Sequence, residues 1–77
     1  METFRYTGSD QKFIEENQAE IIDIIEGCLL DNYLLSTENG YIAMIETYVN
    51  SWTSCHTIYQ STDSGEIDEI WNTLERD

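Results

Sequence analysis

The sequence predicts an α+β domain in which a helix, a three-stranded antiparallel meander and a second helix follow one another. Three observations predict this order. The dipeptide Asn39-Gly40 separates two apolar-rich runs, which is a strong hairpin signal. The segments after Asp10 and after Asp63 both carry apolar residues at helical spacing. Because the chain has 77 residues, we expect a single small acidic domain over residues 1–77.

The first helix is predicted to begin at Ser9 or Asp10, both good N-caps, and to run to about Glu26. Gly27 would then supply the C-cap. The short segment before the helix would either pack on the core or form a short edge strand. At about 3.6 residues per turn, the helix divides into two sides. The apolar side holds Phe13, Ile14, Ile21, Ile24, Ile25 and Cys28, and the acidic side holds Glu15, Glu16, Glu20, Asp23 and Glu26.

The acidic side of this helix allows two interpretations. Like charges such as Glu16 and Glu20, four residues apart, destabilise a helix by about a few tenths of a kcal/mol per pair. One interpretation is an ordinary solvated face, which is how most charge runs end. The other is a binding surface, because stability alone would favour lysines between the acids. The composition leaves both interpretations open.

The meander is predicted over residues 33–37, 41–49 and 53–59, which are rich in β-branched and aromatic residues. A type I′ turn at Asn39-Gly40 fixes which side chains share a face of the sheet. One face then holds Leu34, Ser36, Glu38, Tyr41, Ala43 and Ile45, and the other Tyr33, Leu35, Thr37, Ile42, Met44 and Glu46. We expect one face to pack on the helices and the other to meet solvent or a partner.

The second helix is predicted to begin after Asp63, an N-cap with Glu66 three residues later. Its apolar residues are Ile67, Ile70, Trp71 and Leu74, which should pack on the sheet together with Ile14, Ile21 and Ile25. The acids Glu66, Asp68 and Glu69 flank this stripe near the helix N-terminus. The helix macrodipole favours acids there, so a structural role explains part of this cluster.

The charge of the chain restricts its partners. Sixteen acids and three basic residues give a net charge of −13. Such a chain repels nucleic acid and anionic membranes and attracts basic proteins. Salt adaptation, simple solubility and metal binding are the competing explanations of the acidity. The acidic N-terminus lacks a signal peptide, and no apolar run is long enough to span a membrane, so we expect a cytoplasmic protein.

The sequence predicts no catalytic residue, no cofactor and no metal site, and therefore no enzyme. The segment around Gly40 imitates part of a calcium-binding loop, but Leu35 stands where the first acidic ligand is needed. Cys55 and His56 are neighbours in a strand, so their side chains point to opposite faces. His56 is accordingly interpreted as a structural or surface residue.

The remaining function is protein binding through acids and exposed aromatic residues. The candidate partner-binding residues are Glu15, Glu16, Glu20, Asp23, Glu26, Glu38, Glu66, Asp68 and Glu69, and the candidate apolar anchors are Tyr33, Tyr41, Tyr48, Trp52 and Tyr59. In length, predicted layout and acidic excess, though in no motif, the chain resembles the acidic anti-CRISPR and anti-restriction proteins of phages and mobile elements. This resemblance implies an inhibitor that mimics nucleic acid and occupies the nucleic-acid site of an RNA-guided nuclease or another defence enzyme. It also implies the host cell cytoplasm as its location.

Two other functions fit the same sequence. A regulatory or assembly module would bind a basic protein through the acids without displacing nucleic acid. A small enzyme or metal protein is the third possibility, which a bound ion or cofactor would support. The target and the oligomeric state are left open by the sequence, as is any contact between Cys28 and Cys55.

Overall fold

A computed structural model describes residues 1–27 and 29–74. These residues form a five-stranded antiparallel sheet with two short helices, and the strand order is β1-β5-β4-β3-β2. In chain order the elements are β1 (Glu2–Tyr6), α1 (Asp10–Glu16), β2 (Glu20–Glu26), β3 (Asp31–Thr37), β4 (Gly40–Tyr48), β5 (Ser54–Ser61) and α2 (Ser64–Asn72). The predicted order of helix, three-stranded meander and helix is therefore wrong. The predicted meander forms β5, β4 and β3, and a further strand extends the sheet at each edge.

The predicted long helix ends early and is followed by a strand. Helix α1 stops at Glu16, and Gln18 takes φ +49°, a left-handed conformation that interrupts the helix. Residues Glu20–Glu26 then pair with β3. Four isoleucines make this run a good strand, because β-branched side chains favour the extended backbone. The strand also avoids the row of like charges that a continuous helix would have carried.

The hairpin between β3 and β4 turns one residue earlier than predicted. Thr37 pairs with Gly40, so Glu38 and Asn39 are the turn residues. The positive φ falls on Gly40 at +130°, and a Cβ there would lie 2.5 Å from the carbonyl oxygen of Ser61. The pairing differs from the predicted one by two residues. Every side chain therefore stays on its predicted face, because strand side chains alternate with period two.

Both faces of the sheet are covered, each by one helix. The α1 face buries Phe13, Leu35, Ile42, Met44 and Ile58, and the α2 face buries Leu34, Ala43, Ile67 and Trp71. The expectation of one open face is therefore wrong. Of the residues predicted to pack with α2, only Ile25 does so, since Ile14 lies on the α1 face and Ile21 is exposed.

Helix α2 begins where the sequence predicts. The Asp63 carboxylate accepts a hydrogen bond of 2.9 Å from the backbone N–H of Gly65, which confirms the predicted N-cap. Near the other end of the helix, the Trp71 indole Nε1 donates to Asp23 Oδ2 at 3.0 Å, which ties α2 to β2. Among the described residues no helix has the length and apolarity needed to cross a membrane. Cys55 is buried, and Cys28 lies outside the described residues.

Candidate functional site

The nine acids predicted to bind a partner are all exposed, but they do not share one helix face. Two lie on α1, three on β2, one in the β3–β4 turn and three on α2. The register of β2 divides its acids further. Glu20 pairs with Ser36 and Asp23 with Leu34, which places both on the α2 side, whereas Glu26 pairs with Asp31 on the α1 side. The predicted acidic helix face made of Glu15, Glu16, Glu20, Asp23 and Glu26 is therefore wrong, since β2 distributes three of these acids over both sides of a sheet edge.

Strand β2 combines acids with exposed isoleucines. It lies at the edge of the sheet with β3 as its neighbour, and its register shifts between Ile21 and Asp23. Ile21 is 48% exposed, Ile22 52% and Ile24 39%. We call Glu20–Glu26 the acid–isoleucine edge. Charges and bulges on an edge strand commonly prevent unwanted strand pairing, which is the structural explanation of its acids. Three exposed isoleucines work against that protection and suit a binding surface better.

The exposed acids have little positive charge to neutralise them. Lys12 Nζ lies 3.9 Å from Glu16 Oε1, and the N-terminal ammonium lies 3.9 Å from Glu66 Oε2. These two ion pairs involve the candidate acids Glu16 and Glu66. Both pairs are exposed and contribute about 0–1 kcal/mol at most. The surface therefore carries a negative electrostatic potential.

Two of the five candidate aromatic anchors are accessible. Tyr33, Tyr41 and Tyr59 are half-buried against the two cores. Tyr48 and Trp52 are exposed at the connection between β4 and β5, and Trp52 is 94% exposed. In that connection, Asn50 Oδ1 accepts hydrogen bonds from the backbone N–H groups of Trp52 at 2.9 Å and Thr53 at 3.1 Å. Trp52 is thus presented by a hydrogen-bonded loop.

The sequence does not predict a second cluster, which consists of Asp10, Glu46 and His56. His56 is 3% exposed, so the interpretation of a surface residue is wrong for it. Its Nε2 lies 2.6 Å from Asp10 Oδ1 and 3.7 Å from Glu46 Oε2. Asp10 Oδ1 does not lie in line with the ring N–H, Glu46 Oε2 is too distant for a hydrogen bond, and neither ring nitrogen forms a hydrogen bond with any described residue. The pairing of Glu46 with His56 across β4 and β5 is the one sequence signal that register prediction could have used.

Neighbouring side chains hold the two carboxylates of this cluster. Glu46 Oε1 accepts a hydrogen bond from the backbone N–H of Asp31 at 3.1 Å, and Oε2 accepts one from Ser54 Oγ at 3.0 Å. Burial raises the pKa of Tyr33 above 10.0, and the charge of the Asp10 carboxylate and hydrogen bonding to it raise the pKa further. The carboxylates are therefore oriented before any ligand arrives.

Comparison with known proteins adds no relative, since neither the family models nor the curated proteins nor the solved structures match this chain. The geometry alone provides two candidates. One is the acid–isoleucine edge, and the other is the partly buried cluster of Asp10, Glu46 and His56.

Proposed function

We propose that this chain is an acidic inhibitor protein that binds the basic nucleic-acid-binding surface of a target protein and blocks DNA or RNA binding. The acid–isoleucine edge is the observation that carries the proposal. It presents Glu20, Asp23 and Glu26 together with Ile21, Ile22 and Ile24 on one exposed strand. Charge attraction and an apolar contact are therefore available at the same place.

The two kinds of side chain have different roles in this proposal. The acids steer association with a basic protein and make it faster at low salt. Exposed ion pairs add only about 0–1 kcal/mol each, so they cannot supply tight binding alone. Burial of the isoleucines supplies about 25 cal/mol for each Å² of apolar area removed from water. The outer backbone edge of β2 can also pair with a strand of the target.

Mimicry here depends on a negative surface rather than on matched phosphate spacing. Adjacent acids on a helix would have been roughly 5–6 Å apart at Cβ. Glu20 and Glu26 instead lie on a strand that rises about 3.3 Å per residue, so about 20 Å separates them. A stretch of that length spans about six nucleotides of one DNA strand. The edge thus matches a short stretch of nucleic acid in length and sign of charge, and complements a basic groove.

The resemblance in length and acidic excess to anti-CRISPR and anti-restriction proteins directs the choice of target. An RNA-guided nuclease or another defence enzyme has the basic groove that this surface fits. The site of action would be the cytoplasm of a host cell that carries such an enzyme.

The test is a competition titration with a partner captured by this chain. The captured partner is titrated with its own DNA or RNA, with and without this protein. We expect the two to exclude each other and the protein complex to weaken as salt rises. A ternary complex with undiminished nucleic-acid affinity would overturn the proposal and favour the regulatory or assembly module.

A pair of matched double variants locates the binding surface. Glu20→Lys/Glu26→Lys changes the acid–isoleucine edge, and Glu66→Lys/Glu69→Lys makes the same change in net charge on α2. Asp23 is left intact because it accepts the Trp71 hydrogen bond. We expect the first variant to dissociate faster and to lose more of its salt dependence than the second. Equal effects would assign binding to the overall charge instead of this edge.

A further inference from the structure

We infer that Asp10, Glu46 and His56 form a binding site for one divalent first-row transition-metal ion, with Zn²⁺ as the representative ion. One oxygen of each carboxylate and one imidazole nitrogen lie within 4.8 Å of one another. The site lies on the α1 face, where Glu46 and His56 are paired residues of β4 and β5. It does not depend on the acid–isoleucine edge or on the proposed inhibitor function.

The donor set suits such an ion. Imidazole nitrogen binds zinc, copper, iron and nickel well, and carboxylate oxygen is also a common ligand of zinc and manganese. Three protein ligands leave at least one coordination position for water or another ligand. His56 is the independent observation beyond the acids, because it is 3% exposed and its Nε2 lies close to both carboxylates without forming a hydrogen bond with a described residue. Buried polar atoms normally have a partner, and a metal ion at Nε2 would provide one.

The distances fit with small adjustments. Ligand atoms bound at about 2.0–2.2 Å in a tetrahedral site lie roughly 3.3–3.5 Å from one another. The separations from His56 Nε2 are 2.6 Å to Asp10 Oδ1 and 3.7 Å to Glu46 Oε2, which bracket that range. Each carboxylate oxygen needs to move by less than about 1 Å to reach the expected separation from His56 Nε2. Asp10 and Glu46 are both partly exposed, so an ion can enter from solvent.

The direction of the imidazole separates a metal site from a simple ion pair. A protonated His56 bridging the carboxylates needs an acceptor in line with Nε2–H. Asp10 Oδ1 instead lies beside that line, and Glu46 Oε2 at 3.7 Å is beyond hydrogen-bond distance. A metal ion would occupy the line itself, with the carboxylate oxygens as its neighbours to the side. The position of Asp10 beside the line is therefore compatible with coordination of a metal ion by Nε2.

An outer shell holds these ligands in place. Glu46 is fixed by Ser54 Oγ and by the backbone N–H of Asp31, and Asp10 by the Tyr33 hydroxyl. Such partners orient metal ligands, and losing one commonly lowers metal affinity about 10–100-fold. Tyr33 is therefore a positioning residue of the proposed site.

The experiment is a Zn²⁺ titration of the full chain after treatment with a chelator, followed by calorimetry and by imidazole ¹⁵N NMR. His56 is the single histidine, so its two ring nitrogens are assigned without mutation. We expect one Zn²⁺ per chain, a large shift of the Nε2 resonance and a proton on Nδ1. A doubly protonated imidazole that Zn²⁺ leaves unchanged would overturn the site and show a bridged ion triad.

Matched variants distinguish the site from diffuse binding of cations to an acidic protein. Asp10→Asn and Glu46→Gln should each lower Zn²⁺ affinity by more than the roughly 10–100-fold expected for Tyr33→Phe. Asp68→Asn and Glu69→Gln remove the same charge on α2, which covers the opposite face of the sheet, and should change the affinity less than about twofold, because exposed charges interact weakly with a distant ion. If the controls weaken binding as much as the ligand variants, the site is wrong. The NMR result on the unmodified chain decides the question if a ligand variant does not fold, and neither result bears on the competition test above.

Discussion

The two faces of the sheet are closed in different ways. On the α2 face, Ile67 and Trp71 cover Leu34 and Ala43, and the Trp71 indole donates a hydrogen bond to Asp23. On the α1 face, Phe13 covers Leu35, Ile42, Met44 and Ile58. One end of that second face holds the cluster of Asp10, Glu46 and His56 instead of apolar side chains.

The two faces share stabilisation by apolar burial, but only the α1 face holds the cluster of Asp10, Glu46 and His56. Apolar burial stabilises both faces by about the same amount per unit of area. A buried imidazole beside two carboxylates adds desolvation cost that a short apolar side chain would avoid. Packing energy alone therefore does not explain this group. We therefore expect the α2 face to respond mainly to loss of volume and the α1 face also to pH and ions.

The largest expected effect is on the α2 face. Trp71→Ala should lower the free energy of unfolding by about 3–5 kcal/mol, as large core truncations do. A domain of this size has little stability to lose, so the variant can unfold outright. Chemical denaturation of the two proteins measures the change.

The second tryptophan provides the control. Trp52 is 94% exposed, so Trp52→Ala should change the free energy of unfolding by less than about 0.5 kcal/mol. Equal effects of the two substitutions would show that α2 is not docked on the sheet as described.

The next effect concerns the α1 face. Met44 is fully buried, and Met44→Ala should cost about 2–5 kcal/mol. Ile22→Ala on the edge strand serves as its control and should stay within about 0.5 kcal/mol, because Ile22 is half exposed in a bulge. Urea denaturation of both variants measures the contrast. A large loss in Ile22→Ala would mean that β2 packs more tightly than its exposure indicates.

A smaller effect is expected from salt. The net charge of −13 is repulsive over the whole surface, and ion pairs reach few of the exposed acids among the described residues. The Debye length falls to about 3 Å at 1 M salt, so this repulsion is screened. The melting temperature should rise between low and high sodium chloride. A falling temperature would indicate that attractive pairs outweigh repulsion.

The smallest effect is alkaline and belongs to the α1 face. Burial and Asp10 raise the pKa of Tyr33 above 10.0, so folding favours its neutral phenol. That contribution is fully present below pH 10.0 and is lost as pH rises through the folded-state pKa. Stability should therefore fall above pH 10.0, and less steeply in Tyr33→Phe. Identical slopes for the two proteins in alkaline denaturation would contradict the raised pKa.

The sequence predicts those elements whose local and tertiary preferences agree. Helix α2 has an N-cap at Asp63 and a clear apolar stripe, and both appear in the structure. The faces of the β3–β4 hairpin are also correct, since an error of two residues in register preserves side-chain direction. The turn itself was misplaced because Gly40, rather than Asn39, carries the positive φ.

The residues after Glu16 show where the prediction failed. Ile21, Ile24 and Ile25 fit the apolar side of a helix. With Ile22 and Asp23 between them, the same run also fits a strand. Pairing with β3, a tertiary interaction, decides between them. No local sequence pattern shows that β3 offers a second edge with which residues 20–26 can pair.

The sequence does not predict the cluster of Asp10, Glu46 and His56 for a similar reason. Asp10, Glu46 and His56 are far apart in sequence, and their spacing matches no short metal-binding motif. Only the pairing of β4 with β5 and the position of α1 bring them together. The sequence neighbour Cys55 points to the other face of the sheet, and the residues close to His56 are Asp10 and Glu46.

The place of β1 in the sheet sets the order in which the fold can be completed. Glu2 pairs with Gln60 and Tyr6 with His56, so most of the chain lies between the partners of this first strand. Contacts between residues distant in sequence slow folding, because a large loop must close before they form. During synthesis β1 remains without its neighbour until β5 has been made. We expect the first strand of the chain to be among the last to join the sheet.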